Sequence, residues 1–106
     1  MKNLKGGELS VKFVVLGNLT HQGIKTIKDA GKRQKQAVEI MKSFGCKLIS
    51  LYYTMGKYDW VSIVEGPDIE SAMKALFVFG MGGTNRTETL VAITGDEAVK
   101  LIGELP

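Results

Sequence analysis

Two apolar runs, CKLISLYYTM (46–55) and DWVSIVE (59–65), stand on either side of Gly56-Lys57. Their composition is β-branched and aromatic, which reads as two strands joined in a hairpin. If Gly56-Lys57 is a two-residue turn, Met55 faces Tyr58, Tyr53 faces Trp60, Leu51 faces Ser62 and Ile49 faces Val64. Successive side chains of a strand point to opposite faces. The other face then carries Leu48, Ser50, Tyr52 and Thr54 against Asp59, Val61 and Ile63. Both faces are therefore largely apolar, and both need cover. A third run, VKFVVLG (11–17), agrees: Phe13 and Val15 point one way, Val14 and Leu16 the other.

The rest of the chain supplies cover for one face. Between the first and second strands, Ala37, Ile40, Met41 and Phe44 recur at helical spacing. Gly31 is expected to divide a short helix, near Gly23 to Ala30, from a longer one that Gly45 ends. Pro67-Asp68 opens another helix with Asp68 as its N-cap, running to about Phe79. RTETLVAIT (86–94) is a fourth strand, and Thr94 with Glu97 has capping-box spacing for a short final helix. The order βαββαβ is the ferredoxin-like layout: an α+β fold with a four-stranded antiparallel sheet, helices on one face and an extra C-terminal helix. Its second face would expose more apolar surface than a soluble monomer tolerates. A second copy is the expected cover, sheet against sheet, as a dimeric α/β barrel or a larger ring. Residues 1–10, with Gly6-Gly7, read as a flexible N-terminal extension to a domain over 11–106.

With 106 residues, 44% hydrophobic, the chain can form one domain with a real core. The lone Cys46 rules out an internal disulfide and a paired-cysteine zinc site, so no metal is expected. One cysteine and no secretion signal point to the cytoplasm. The longest apolar run, ALFVFGMGG, is too short to span a bilayer, so no membrane partner is expected. Lys25, Lys28, Lys32, Arg33 and Lys35 crowd one helical stretch, which reads first as a solvated face and second as a phosphate-seeking patch.

Three runs, LGNLTHQGIKTIKD, LYYTMGKYDWVSIVEGPD and NRTETLVAIT, together resemble the GYD-domain family. The Gly-x-Tyr-Asp signature falls on Gly56, Tyr58 and Asp59, and the resemblance runs from Val11 to Pro106. It implies a small ferredoxin-like protein akin to dimeric α/β-barrel proteins. It supplies no reaction, no cofactor and no catalytic residue.

The residues offer several candidate groups. Thr54 is expected to bond the Asp59 carboxylate across the hairpin, while Tyr53 and Trp60 pair as aromatics. Tyr58 and Asp59 could instead rim a pocket, Tyr58 as a donor and Asp59 as a base. Arg86 is expected to pair with Asp59, with Glu88 or with a ligand carboxylate. The preceding GMGGTN follows a helix, where the dipole disfavours anions, so it is no phosphate loop. His21, the single histidine, stands before the first helix as a loop residue or a general base. Cys46 reads as a small buried residue. Met55, Met73, Met81, Phe77 and Phe79 could line an adaptable apolar pocket or form core.

The same strand order serves RNA-recognition motifs. Gly56 to Ile63 places Tyr58 and Trp60 where stacking aromatics belong, but Asp59 and Ile63 do not fit, which argues against nucleic acid. The expectation is thus an oligomeric protein that binds a small, partly apolar molecule between sheet and helices, without a cofactor. The alternatives are a cofactor-free oxygenase- or isomerase-like enzyme using Tyr58, Asp59, His21 and Arg86, and a purely structural or regulatory partner protein.

Overall fold

The computed structural model describes residues 11–106. The expected N-terminal extension, residues 1–10, lies outside the described residues. Along the chain run β1 (Val11–Leu19), α1 (His21–Lys25), a 3-10 turn (Ile27–Asp29), α2 (Ala30–Ser43), β2 (Lys47–Tyr53), β3 (Trp60–Gly66), α3 (Ile69–Met81), β4 (Asn85–Ala92) and α4 (Gly95–Gly103). The strands form one antiparallel four-stranded sheet in the order β2-β3-β1-β4. Helices α2 and α3 cover one face of it. This is the ferredoxin-like arrangement read from the pattern of runs.

Strand alternation sorts the side chains as the period of two requires. Phe13 and Val15 of β1 and Trp60, Ser62 and Val64 of β3 are buried beneath the helices. They pack with Met41 of α2 and with Ala72 and Ala75 of α3. The two alanines let α3 lie close to the sheet. Lys12, Val14, Leu16, Val61, Ile63 and Glu65 take the intervening positions on the open face. Lys12 and Glu65 form a salt bridge there.

The hairpin departs from the simple register in two places. Tyr53 faces Trp60 and Leu51 faces Ser62, as expected, but Leu48 rather than Ile49 faces Val64. A bulge at Ile49 takes up one residue, which turns Leu48 inward. Without it, Leu48 would lie on the open face. The second departure is the turn. Pairing stops at Tyr53–Trp60, so Met55 does not pair with Tyr58, and residues 54–59 form a longer loop. Gly56 sits in that loop at φ 109°, a conformation that favours glycine.

Two boundaries also move. Gly31 does not divide the first helical stretch: it lies inside α2, and the break falls at Thr26. Thr26 bonds its own hydroxyl back to the Gln22 carbonyl at 2.8 Å, which favours ending the turn there. Strand β1 continues past Gly17 to Leu19, because Asn18 and Leu19 pair with Arg86 and Asn85 of β4. Gly45, at φ 74°, follows α2 as expected. Asp68 caps α3 by accepting the Ser71 N–H at 2.7 Å, and that bond lowers its carboxyl pKa below the ordinary value. Thr94 and Glu97 close the expected capping box on α4. The same bond with Thr94 lowers the Glu97 pKa. Helix α4 buries none of its residues.

Candidate functional site

The candidate residues gather at one end of the sheet. The β2–β3 loop, the end of β1, the start of α1 and the start of β4 all meet there. Thr54 donates its backbone N–H to the Asp59 carbonyl at 2.8 Å, and its hydroxyl to the Tyr58 carbonyl at 2.6 Å. The expected bond from Thr54 to the Asp59 carboxylate is not formed. Asp59 turns to β1 instead: its N–H donates to the Gly17 carbonyl, and Oδ2 accepts the Leu19 N–H, each at 2.8 Å. The Tyr58 hydroxyl donates to Glu88 Oε1 at 2.8 Å, and Lys57 Nζ lies 5.5 Å from the Tyr58 ring centre. These bonds carry the loop over β1 and β4, which is why it does not close as a tight two-residue turn.

The Arg86 side chain is exposed on β4 and makes no hydrogen bond or ion pair with a described residue. The expected pairing with Asp59 or Glu88 is therefore absent. His21 is exposed at the start of α1, while the preceding Thr20 caps that helix by accepting the Gly23 N–H at 3.1 Å. Tyr58, Asp59, Arg86 and His21 share a neighbourhood, and none of them lines the cavity or the groove described below. Cys46 is buried, and that burial, with the nearby Asp68 charge, pushes its thiol pKa up. A raised pKa is the opposite of what a nucleophile needs. Among the described residues no group of acids, histidine and cysteine could hold a metal ion.

The cavity lies elsewhere, between the sheet and α2 and α3, with a volume of about 60 Å³. Val15, Met41, Leu48, Leu51, Leu76 and Phe79 form its apolar walls. Its polar lining is Arg33, Gln34, Tyr53, Trp60, Ser62 and Asn85. Exposed Gln34 and Tyr53 mark its mouth, and buried Val15, Ser62 and Val64 its floor. One water needs roughly 10–15 Å³ of such space, so the cavity has room for more than one.

Each polar group there has a distinct state. Trp60 donates Nε1–H to Asn85 Oδ1 at 2.7 Å, and Asn85 in turn donates to the Thr84 hydroxyl at 3.2 Å. Trp60 also meets Phe79 edge to face, with centroids 6.0 Å apart. Its ring lies directly over Gly17, where a side chain would collide with it. Arg33 donates Nη1 to the Thr26 carbonyl at 2.9 Å and to its hydroxyl at 3.0 Å, and Nη2 to the Gly23 carbonyl at 3.3 Å. No carboxylate of a described residue pairs with it. Ser62 is only 3% exposed, and its hydroxyl has no hydrogen-bond partner among the described residues.

Sequence patterns alone do not single out these groups. Arg33 reads as one more cation on a solvated helix, and Asn85 as part of a glycine-rich loop. Ser62 does carry a signal: it is the one hydroxyl at an inward position between Trp60 and Val64. The methionine and phenylalanine cluster divides. Phe79 lines this cavity, while Met73 and Phe77 border a separate groove between α3 and β4. Met55 and Met81 are 99% and 83% exposed and line neither.

The element order and the sheet topology define a ferredoxin-like α+β protein. Residues 13–102 match the GYD domain, and the chain belongs to the GYD-domain family. It is 33% identical over 82 residues to the glutamine synthetase and cystathionine beta-lyase binding protein of Thermus thermophilus. That alignment covers 76% of this chain and 86% of the relative. The leucine response regulatory protein of Mycobacterium tuberculosis shares the fold at a TM-score of 0.60 and 15% identity, over 79% of this chain and 51% of that one. A mutant chlorite dismutase from Candidatus Nitrospira defluvii shares it at 0.62 and 14%, over 97% of this chain and 48% of that one. The chain thus spans about half the length of each of these two structures. Among the described residues no helix is long and apolar enough to cross a membrane.

Proposed function

We propose that this protein is a cytoplasmic, homo-oligomeric binding protein that holds a small, partly apolar molecule between its sheet and helices. The cavity carries this reading. Ligand sites are typically apolar concavities with a few placed polar groups. Here apolar walls surround a buried Ser62 hydroxyl with no partner, and a cation with no acidic partner, among the described residues. Self-association has separate support. The open face presents Val14, Leu16, Val61 and Ile63, with Tyr52 and Leu90 exposed beside them. A second copy laid sheet to sheet would cover them. The test of the ligand is native mass spectrometry of protein purified under non-denaturing conditions. An excess mass that denaturation releases supports the reading. Bare protein that also ignores small amphipathic probes sinks it. Light scattering that finds a monomer at micromolar concentration would remove the oligomer.

The relative's name favours a second role on a different surface. We propose that the assembly also docks on an enzyme of the kind the Thermus protein is named for. Purified glutamine synthetase, titrated by interferometry, tests this directly. Absence of binding at tens of micromolar would end the idea. Catalysis through Tyr58, Asp59, His21 and Arg86 is not proposed, because these side chains do not converge on the cavity.

A further inference from the structure

From the state of Arg33 and Ser62 we infer that the cavity selects a small amphipathic carboxylate, an inference that rests on the ligand-binding reading above. Among the described residues the cavity lining contains one cation, Arg33, and no aspartate or glutamate. A cationic ligand would find no counter-charge there. A phosphate ester or dicarboxylate would bring more negative charge than one guanidinium offsets. A single carboxylate matches the lining.

The geometry of Arg33 points the same way. A guanidinium has five N–H donors in a planar fork. Its Nη1 and Nη2 both reach back to the α1 turn, at Thr26 and Gly23. These bonds fix the side chain before any ligand arrives. They leave Nε–H without a hydrogen bond to a described residue. A guanidinium fork can bind a carboxylate through two parallel bonds, which lysine cannot.

Ser62 defines the inner end. Buried hydroxyls nearly always have a partner. This one, 3% exposed on the cavity floor, has none among the described residues. It suits a neutral polar atom, such as a ketone or hydroxyl oxygen, at the far end of the ligand. The apolar body would then lie between Leu48 and Leu51 on one side and Leu76 and Phe79 on the other.

Calorimetry on the full chain, with emission of the single Trp60 reporting on the cavity wall, can test this. The probes are hexanoate, its neutral counterpart hexanamide, and 5-oxohexanoate. Hexanoate should bind about tenfold or more tighter than hexanamide, the fold-change expected of a charge-assisted bond. Arg33→Gln should abolish that preference, and Arg33→Lys should retain part of it. The ketone of 5-oxohexanoate should improve affinity, and Ser62→Ala should remove the improvement. Equal binding of hexanoate and hexanamide by the unaltered protein would overturn the carboxylate inference but leave a neutral apolar ligand standing. No binding of any probe up to about 10 mM, weaker than the millimolar range of the feeblest specific complexes, would overturn both.

Discussion

Replacing Gly17 with alanine should damage the fold through Trp60 alone. A Cβ built on Gly17 would fall on the indole, with Cδ2 at 2.6 Å and Cε2 and Cζ2 nearer still. Neither partner can yield easily, because Gly17 is hydrogen-bonded within the sheet and Trp60 is 8% exposed in the core. Forcing extra carbon into a packed core costs about 1–3 kcal/mol. If the indole swings away, its edge contact with Phe79 is lost, worth about 0.5–1.5 kcal/mol. The bond from Nε1–H to Asn85 goes with it, worth about another 1 kcal/mol. Against these stands the smaller unfolded-state entropy of alanine, which stabilises by about 0.4–1 kcal/mol. Overpacking wins, with a net loss of about 3 kcal/mol. For a domain of this size each kcal/mol moves Tm by about 4–8 °C, so the expected fall is about 12–24 °C. Circular dichroism gives the melt. Emission of the only tryptophan gives the cause, since a displaced indole shifts to the red. The variant Gly17→Ala with Trp60→Leu should depend less on the added methyl than the parent does. A Tm and an emission maximum both indistinguishable from the parent would refute the packing account.

Other substitutions separate structure from binding. Asp59→Ala removes the acceptor of the Leu19 N–H and should lower stability by about 1.5–3 kcal/mol, whereas Tyr58→Phe, which loses one bond on an exposed edge, should cost less than about 1.5 kcal/mol. Chemical denaturation ranks the two, and the reverse order would contradict the geometry. Ser62→Ala deletes a buried hydroxyl without a partner among the described residues and should leave stability unchanged or raise it by about 1 kcal/mol, again read by denaturation. On acidification, the lowered pKa values of Asp68 and Glu97 mean that their helix caps stabilise fully above the unfolded carboxyl values, near about pH 4, and that this contribution fades as pH falls through the lower folded values. Amide exchange in the first turns of α3 and α4 should therefore quicken below about pH 4, relative to the intrinsic rate, more than in β1.

What can be read from the chain follows from local rules with one dominant partner. The cap at Asp68, the box at Thr94 and Glu97, and glycine after α2 depend on neighbours a few residues away, and all form. Alternation in β1 and β3 gives the buried and open faces for the same reason. The hairpin departs from expectation where distant residues compete. Across a tight turn Thr54 would meet the Asp59 side chain, but Leu19, remote in sequence, offers that carboxylate a backbone N–H at the end of β1. Glu88 likewise takes the Tyr58 hydroxyl from β4. Both bonds tie the loop to β1 and β4, and the Ile49 bulge separately keeps Leu48 inward. No local pattern encodes any of these choices.

The signature residues form a clasp. Gly56 gives the loop its positive φ, Asp59 fastens it to β1, and Tyr58 fastens it to β4. That clasp sits next to Trp60, whose ring rests on Gly17 and forms one wall of the cavity. From Trp60 onward β3 serves both surfaces: Trp60, Ser62 and Val64 face the cavity, while Val61 and Ile63 face the open side where a second copy would lie. Substitutions at Asp59 should thus disturb the cavity through the position of Trp60, without Asp59 touching a ligand. Emission of Trp60 in Asp59→Ala, measured under conditions where the fold is intact, distinguishes the cases. A red shift supports the clasp, and an unchanged spectrum would mean that β3 holds the indole in place without it.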